Sequence, residues 1–299
     1  MQKLLFSILL TVLTSIAYSQ DGKEQSEMDK VRAEYEKLLN DPKHPYGKNN
    51  ATGKYYNVRG MKMYAETYGS GEPLLFIHGN GGSINNFIMQ IPYFEKKYKV
   101  IVADSRAHGK TIDPKDSLTY EMMADDYAAL LDAMKIDSAY VVGWSDGGIN
   151  GLLLAIRHPE KVKKLAITGA NLRPDSSAVC NDVIQMIRPS YLEAKNRTEW
   201  NAEQLTTKKL MTLMIEQPNI SLVTLQHVLC PTLVIAGDHD VITVEHTVEI
   251  FTHIPRAYLW ILPKSGHSTP INFSNEFNEK VDYFFKRPYV KYNTEMKFF

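Results

Sequence analysis

Residues 141–148 read Val-Val-Gly-Trp-Ser-Asp-Gly-Gly, and the fold expected for the rest of the chain follows from this stretch. The residues before it, 139–142, are an apolar run that predicts a short buried strand. The residues after it, 149–156, are mainly apolar and end before Pro159, which predicts a buried helix. A strand, a sharp turn and a helix are therefore expected in this order.

The turn itself carries the pattern G-x-S-x-G, formed by Gly143, Ser145 and Gly147. Such a turn holds the serine in a strained backbone conformation, and the glycines let strand and helix approach closely. The serine hydroxyl would stand at a helix N-terminus, where backbone N–H groups favour developing negative charge. The context favours a nucleophile elbow over the alternative, a purely structural glycine turn.

The composition bounds the class of protein. A chain of 299 residues can hold one large α/β domain or two small ones. Lys+Arg and Asp+Glu each number 34, so the charge favours neither nucleic acid nor an anionic membrane as a partner. The histidines form no H-E-x-x-H pattern, and no G-x-x-x-x-G-K-[ST] phosphate loop is present. We therefore expect no metal and no cofactor.

The N-terminus has the pattern of a secretory signal peptide. Lys3 supplies a positive charge, residues 4–17 are mostly apolar, and Ala17 and Ser19 provide the small residues of a cleavage site. We predict a signal peptide over residues 1–19 and a periplasmic or secreted protein with no stable membrane insertion after cleavage. The alternative is an uncleaved anchor, for which the apolar run is short.

Hydrophobic periodicity divides the remaining chain into segments. Strands alternate with helices on both sides of a region that has only helical spacing, which predicts an α/β fold with a doubly wound, mostly parallel sheet and an inserted helical cap. The expected segments are an N-terminal helical extension (20–53), the first part of the core (54–170), the cap (171–228), the second part of the core (229–287) and a C-terminal tail (288–299).

Ser145, Asp240 and His267 each follow a predicted strand. The carboxyl ends of parallel strands lie at one edge of a sheet, so these three residues are expected to converge. A serine hydroxyl needs a neighbouring base, and the base needs a carboxylate that fixes its tautomer and stabilises its charged form. Asp238, two residues before Asp240, is the alternative acid.

A glycine-rich turn follows another predicted strand, residues 74–77, and reads His-Gly-Asn-Gly-Gly over residues 78–82. Because glycine has no Cβ to block the approach, the backbone N–H of Asn80 is expected to face the reaction centre.

Taken together, these motifs resemble those of the α/β-hydrolase superfamily over nearly all of the chain after the predicted signal peptide. The matching residues are 78–82, 104–106, 143–148, 237–240 and 266–267. One departure is Ala107, a position at which relatives often have glycine, and it leaves the tightness of its loop open.

The resemblance implies specific roles for single residues. Ser145 would be the nucleophile, Asp240 the acid and His267 the base, with an oxyanion hole formed by the backbone N–H groups of Asn80 and Asp146. The elbow looks most like that of the valacyclovir hydrolase (biphenyl hydrolase-like) group, which cleaves α-amino-acid esters. That likeness implies substrate contacts from Asp146 and Trp144.

The function expected from these features is that of a secreted serine esterase that cleaves a small carboxylic ester through an acyl-enzyme. An amidase, an aminopeptidase or a lactonase would use the same residues. A non-catalytic member that binds a ligand under the cap, and a cofactor-free acyltransferase, are further alternatives. Cys180 and Cys230 flank the cap, and the sequence leaves a disulfide and two free thiols both open.

Overall fold

Eight β-strands form one sheet in the computed structural model of this chain, which describes residues 22–113, 117–293 and 295–297. The predicted signal peptide, residues 1–19, lies outside the described residues. Across the part that is described, no helix is both long enough and apolar enough to cross a bilayer.

The strands run in the spatial order β1-β2-β4-β3-β5-β6-β7-β8. The pairs β1–β2 and β2–β4 are antiparallel, and every other neighbouring pair is parallel. The predicted α/β fold with a mostly parallel sheet is therefore confirmed. The strand bounds are β1 (Lys54–Val58), β2 (Met61–Tyr68), β3 (Glu72–Ile77), β4 (Tyr98–Ala103), β5 (Ala139–Trp144), β6 (Val162–Thr168), β7 (Thr232–Gly237) and β8 (Ala257–Leu262).

Helices connect the strands and cover the sheet. Their bounds are α1 (Gly22–Leu39), α2 (Ile91–Phe94), α3 (Tyr120–Ala133), α4 (Asp146–Arg157), α5 (Asn181–Asn196), α6 (Ala202–Glu216), α7 (Val244–His253), α8 (Thr269–Asn272) and α9 (Ser274–Lys286). Short 3₁₀ helices lie at Ile84–Phe87, Pro159–Lys161, Leu222–His227 and Glu295–Lys297.

The central parallel strands are buried on both faces, as is usual where helices cover a parallel sheet. The side chains of β3 show the alternation, because Leu75 and Ile77 belong to one hydrophobic cluster while Leu74 and Phe76 belong to the other. The first cluster includes residues of α3 and α4, and the second includes residues of α9. The central strands therefore have no solvent-facing side, and their carboxyl ends provide the edge on which polar groups can gather.

The predicted cap segment, residues 171–228, contains α5 and α6 between β6 and β7. The start of α6 is set by a capping box, in which the Asn201 side chain accepts from the N–H of Gln204 and the Gln204 side chain accepts from the N–H of Asn201. A single antiparallel bridge joins Val179 to Ile242, so the entry to this segment is tied to the loop after β7.

Both ends of the described chain pack on the sheet domain. The buried carboxylate of Glu66 in β2 accepts hydrogen bonds from the backbone N–H groups of Gly47 and Asn49, which fixes the loop after α1. At the other end the hydroxyl of Tyr258 in β8 both donates to the carbonyl of Val290 and accepts from its N–H. The extension and the first part of the tail are thus held by the sheet through side-chain hydrogen bonds.

The loop after β4 keeps a tight turn although alanine stands at position 107. Ala107 has a φ of 62°, in the left-handed region that costs an ordinary residue about 1–2 kcal/mol. The loop closes because the Asp104 carboxylate accepts from the backbone N–H groups of Ile84 and Lys110. These buried hydrogen bonds hold the turn in the conformation that glycine would adopt without strain.

Candidate active site

Ser145 lies on the sharp turn between β5 and α4 with φ 58° and ψ −124°. Two glycines make this conformation possible. A Cβ on Gly147 would lie 1.9 Å from the carbonyl oxygen of Ile77, and one on Gly143 would lie 2.1 Å from the carbonyl oxygen of Gly147. The strained backbone turns the Ser145 side chain out of the sheet at the N-terminus of α4.

The Ser145 hydroxyl begins a continuous chain of hydrogen bonds. Its Oγ lies 2.9 Å from Nε2 of His267, and Nδ1 of the same imidazole lies 2.6 Å from Oδ1 of Asp240. Oδ1 of Asp240 also accepts from the N–H of Ile242 at 3.1 Å. The carboxylate can hold the imidazole with Nδ1 protonated, which leaves Nε2 free to accept the serine proton.

The three side chains meet because they follow β5, β7 and β8, whose carboxyl ends lie at the same edge of the sheet. A residue that our sequence analysis missed also shapes this site. Gly169, after β6, has a φ of 62°, and a Cβ there would lie 2.7 Å from Cε1 of His267. Only glycine fits beside the imidazole, and nothing in the local sequence pattern points to that requirement.

The pKa of His267 is raised above its ordinary value. Burial disfavours the charged imidazole, but the nearby Asp240 carboxylate outweighs this effect, and the Asp146 carboxylate adds to it. An imidazolium at this position is therefore stabilised, which is what a base that takes a proton from serine requires.

The alternative acid, Asp238, does not contact the imidazole of the triad. Its carboxylate lies 2.8 Å from Nδ1 of His239 and accepts from the N–H of Ser265. The backbone N–H groups of Asp238 and His239 donate to the carbonyls of Leu262 and Ser265. These hydrogen bonds give Asp238 the role of a turn residue. The geometry places Asp240 against His267.

Asp146, the residue after Ser145, has a buried carboxylate. Nδ2 of Asn80 donates to its Oδ2 at 2.8 Å, and the hydroxyl of Tyr120 also hydrogen-bonds to it. Burial raises the pKa of Asp146, although both neutral donors act in the opposite direction. Among the described residues the charged group that acts on this carboxylate is the His267 imidazole, and no lysine or arginine does so.

The glycine-rich turn after β3 passes directly beside the nucleophile. A Cβ on Gly79 would lie 3.0 Å from Cβ of Ser145, so backbone and serine are in contact. The N–H groups of Asn80 and Asp146 have no acceptor among the hydrogen bonds of the described residues. The structure thus brings the predicted oxyanion-hole residues next to Ser145.

Trp144, expected to contact substrate, has a different environment. Its side chain is 3% exposed, and its indole N–H donates to the carbonyl of His267 at 2.8 Å. The Trp144 side chain therefore stabilises the backbone of the loop that carries His267. One thiol lies near the site, since Sγ of Cys180 is 3.5 Å from the carbonyl oxygen of Asp240. Cys180 and Cys230 are both free thiols and form no disulfide. Among the described residues no cluster of metal-ligating side chains occurs.

Two buried histidines support the loops around the site. Nε2 of His78 accepts from the N–H of Ser105, while Nδ1 of His108 donates to the carbonyl of Arg106, and the two rings lie 5.0 Å apart. Burial lowers the pKa of His78 to about 4 and that of His108 to about 3. Both imidazoles are neutral in the folded protein at neutral pH.

These depressed pKa values predict an acid-labile fold. Because unfolded histidine titrates near pH 6.5, the unfolded chain binds more protons below that pH, and stability falls as the pH is lowered toward about 4. Each histidine should contribute about 1.4 kcal/mol per pH unit in this window. Urea unfolding at pH 7, 6 and 5 measures the slope, which should be smaller in His108→Gln. His227→Gln, at an exposed position where the imidazole contacts only a backbone carbonyl, is the control and should leave the slope unchanged.

Comparison with known proteins agrees with this geometry. Residues 72–199 match the family model of the alpha/beta hydrolase fold. A serine hydrolase of Mus musculus, BPHL, is 28% identical over 250 residues, which cover 76% of this chain and 84% of the relative. A putative carbamate hydrolase of Caulobacter sp. (strain K31), RutD, is 25% identical over 251 residues, which cover 73% of this chain and 94% of the relative.

Solved structures give the same picture of the fold. An enzyme that degrades N-acyl homoserine lactones, Est816, is 25% identical with a TM-score of 0.63, and the match covers 77% of this chain and all of that structure. The enol-lactonase of Burkholderia xenovorans LB400 is 20% identical with a TM-score of 0.64, covering 78% of this chain and all of that structure. In both comparisons the similarity of fold covers more than three quarters of this chain.

Proposed function

Because this chain belongs to the α/β-hydrolase superfamily, we propose that it is an exported serine hydrolase that cleaves a small carboxylic ester through an acyl-enzyme. The observation that carries the proposal is the continuous hydrogen-bonded chain from Ser145 through His267 to Asp240. A protein that only binds a ligand does not need a nucleophile, a base and an acid that are hydrogen-bonded to one another. The names of its relatives support hydrolysis and leave the bond type to experiment.

The geometry accounts for each step of ester cleavage. Oγ of Ser145 attacks the carbonyl carbon while Nε2 of His267 takes its proton, and the charge on the imidazole is stabilised by Asp240. The backbone N–H groups of Asn80 and Asp146 donate to the oxyanion, and the loss of one such donor typically costs about a hundredfold or more in rate. His267 then protonates the leaving alcohol and activates the water that releases the acid.

A substrate panel tests the proposal. Among esters, amides and lactones with matched acyl groups, the open-chain esters should be hydrolysed fastest, and Ser145→Ala should lose activity on all three classes. Faster turnover of an amide or a lactone than of the matched ester would assign the enzyme to that class. Exported protein whose N-terminus is Gln20 would support cleavage after the predicted signal peptide.

Asp146 supports a narrower substrate class, the esters of α-amino acids. A carboxylate beside a developing oxyanion opposes catalysis unless a cation offsets its charge. The described residues provide two neutral hydrogen-bond donors to Asp146, from Asn80 and Tyr120, and the nearby His267 is a cation only when its imidazole is protonated. The free ammonium group of an aminoacyl ester would supply the missing positive charge, in accord with the likeness of the elbow to the valacyclovir hydrolase group.

This assignment predicts a preference that depends on one residue. The wild-type enzyme should hydrolyse an aminoacyl ester with a kcat/KM roughly ten- to a hundredfold above that of its N-acetylated analogue, since a partly buried ion pair contributes about 1.5–3 kcal/mol. Asp146→Ala should remove the preference. If the wild type does not prefer the free amine, or if Asp146→Ala keeps the preference, Asp146 only begins the helix and the substrate is a plain ester.

A further inference from the structure

The cap helix α6 is attached to the active site at Leu210. Nδ2 of Asn80, the residue whose N–H is assigned to the oxyanion hole, donates to the carbonyl oxygen of Leu210 at 3.1 Å. The same Nδ2 donates to Oδ2 of Asp146 at 2.8 Å. Asp146 follows Ser145 in the chain, and Asn80 follows Gly79, whose backbone lies against Ser145. The position of α6 relative to the sheet is therefore coupled to the surroundings of the nucleophile.

The preceding residue of α6, Lys209, forms a second attachment. Its Nζ lies 3.1 Å from Oδ2 of Asp113, whose side chain is only 1% exposed. Oδ1 of Asp113 accepts from Arg106 at 2.8 Å, and the buried Arg106 guanidinium also forms two hydrogen bonds with Asp126. Lys209 thus joins the cap helix to a buried ion-pair network that includes Asp126 of α3.

This ion pair is the part of the attachment that single substitutions can release. Without the Lys209 ammonium the Asp113 carboxylate keeps its partner Arg106, so no unpaired charge is left buried in the core. The buried side chains of Leu210 and Leu213 still pack in the hydrophobic core, which preserves α6 as a folded element. Loss of the pair should therefore weaken the attachment of α6 to the core without unfolding the helix.

We propose that the Lys209–Asp113 pair holds α6 down beside Ser145 and thereby limits the size of the acyl or alcohol group that reaches the nucleophile. Lys209 and Asp113 are positioning residues in this proposal, because they act through α6 and contact no reacting atom. The role in size selection rests on the proposed function, in which Ser145 is the nucleophile. The role in holding α6 is independent of it.

The first test measures access to Ser145 by covalent labelling. Lys209→Met removes the ammonium and keeps the length of the chain. For each protein we compare the rate at which a bulky aryl fluorophosphonate labels Ser145 with the rate for a small dialkyl fluorophosphate. The ratio of the bulky to the small probe should be about tenfold higher in Lys209→Met than in the wild type, which is the effect expected from the loss of a partly buried ion pair. The matched control is Lys208→Met, which removes a neighbouring charge that lies over the ring of Trp200 and should leave the ratio unchanged.

The second test needs no chemistry at Ser145. Amide hydrogen exchange over residues 202–216 should be about tenfold faster in Lys209→Met than in wild type, and unchanged over α7 and in Lys208→Met. Asp113→Asn should speed exchange by a smaller factor in the Lys209→Met background than in the wild type, because the Lys209–Asp113 pair can be lost only once while the Arg106–Asp113 pair is lost in both backgrounds.

The outcomes separate the two proposals. If neither probe labels wild-type Ser145, the proposed function fails, and hydrogen exchange alone then decides whether the pair holds α6. If exchange over residues 202–216 is the same in Lys209→Met and wild type, the role of the pair is overturned. If exchange rises while the ratio of labelling rates stays constant, the pair holds α6 and the role in size selection is overturned.

Discussion

Ser145→Ala is expected to lower kcat on the order of a million-fold, because the substitution removes the nucleophile itself. The hydroxyl is the group that His267 faces at 2.9 Å, and no other side chain takes its place on the elbow. The residual rate should come from substrate binding and the two oxyanion donors, which Ser145→Ala leaves intact. Steady-state kinetics on the preferred substrate measures the loss of kcat. A fluorophosphonate probe measures the loss of covalent labelling, which should be complete in Ser145→Ala.

Ser268→Ala is the matched control for this experiment. Ser268 adjoins His267 and is largely buried, yet its side chain forms no hydrogen bond in the chain from Ser145 to Asp240. Its loss should change kcat by no more than a few-fold. Probe attachment to a serine other than Ser145, together with retained turnover in Ser145→Ala, would contradict the assignment of the nucleophile.

Asp240→Asn is expected to lower kcat by roughly ten-thousand-fold, because the imidazole of His267 loses the carboxylate that fixes its tautomer and stabilises its charge. Asp238→Asn should have a small effect, because that carboxylate contacts His239 and the backbone. Each variant replaces one carboxylate with an amide, and the two positions are two residues apart. Their kcat values on one substrate decide which aspartate serves the base.

The pH dependence of the variants gives an independent check. The Asp240 carboxylate raises the pKa of His267, and the base is active only when it is neutral. Removing that charge lowers the pKa, so the acid limb of kcat/KM in the residual activity of Asp240→Asn should move to lower pH. An acid limb that instead moves in Asp238→Asn and stays in place in Asp240→Asn would reverse the assignment.

Local pattern was sufficient for the fold because the parallel strands are apolar on both faces and are separated by helical or turn sequence. The strand that ends at Ile77 carries a continuous apolar run over residues 74–77, and the one that ends at Trp144 carries such a run over residues 139–142. A glycine-containing turn follows each of these strands. The residues that follow parallel strands lie at the same edge of the sheet, and this follows from the topology alone, whatever the side-chain packing. Ser145, Asp240 and His267 could therefore be placed together from the sequence alone.

Some features were beyond any local pattern. The requirement for glycine at position 169 arises from the imidazole of His267, which lies beside it only in the folded chain. The burial of Trp144 under the histidine loop has the same origin, since its partner is 123 residues away. A side chain's neighbours across the fold depend on the packing of helices and loops, which hydrophobic periodicity does not encode.

The sequence by itself determined the sheet, the elbow and the order of serine, acid and histidine, because strand alternation and turn chemistry are local properties. Only the tertiary structure decided how Asp146 is held, by Asn80 and Tyr120, and how α6 is attached, through Lys209 and Asp113. These contacts join segments from separate parts of the chain. Their geometry exists only after the cap has packed on the core, because long-range burial and ion pairing, not local propensity, select it.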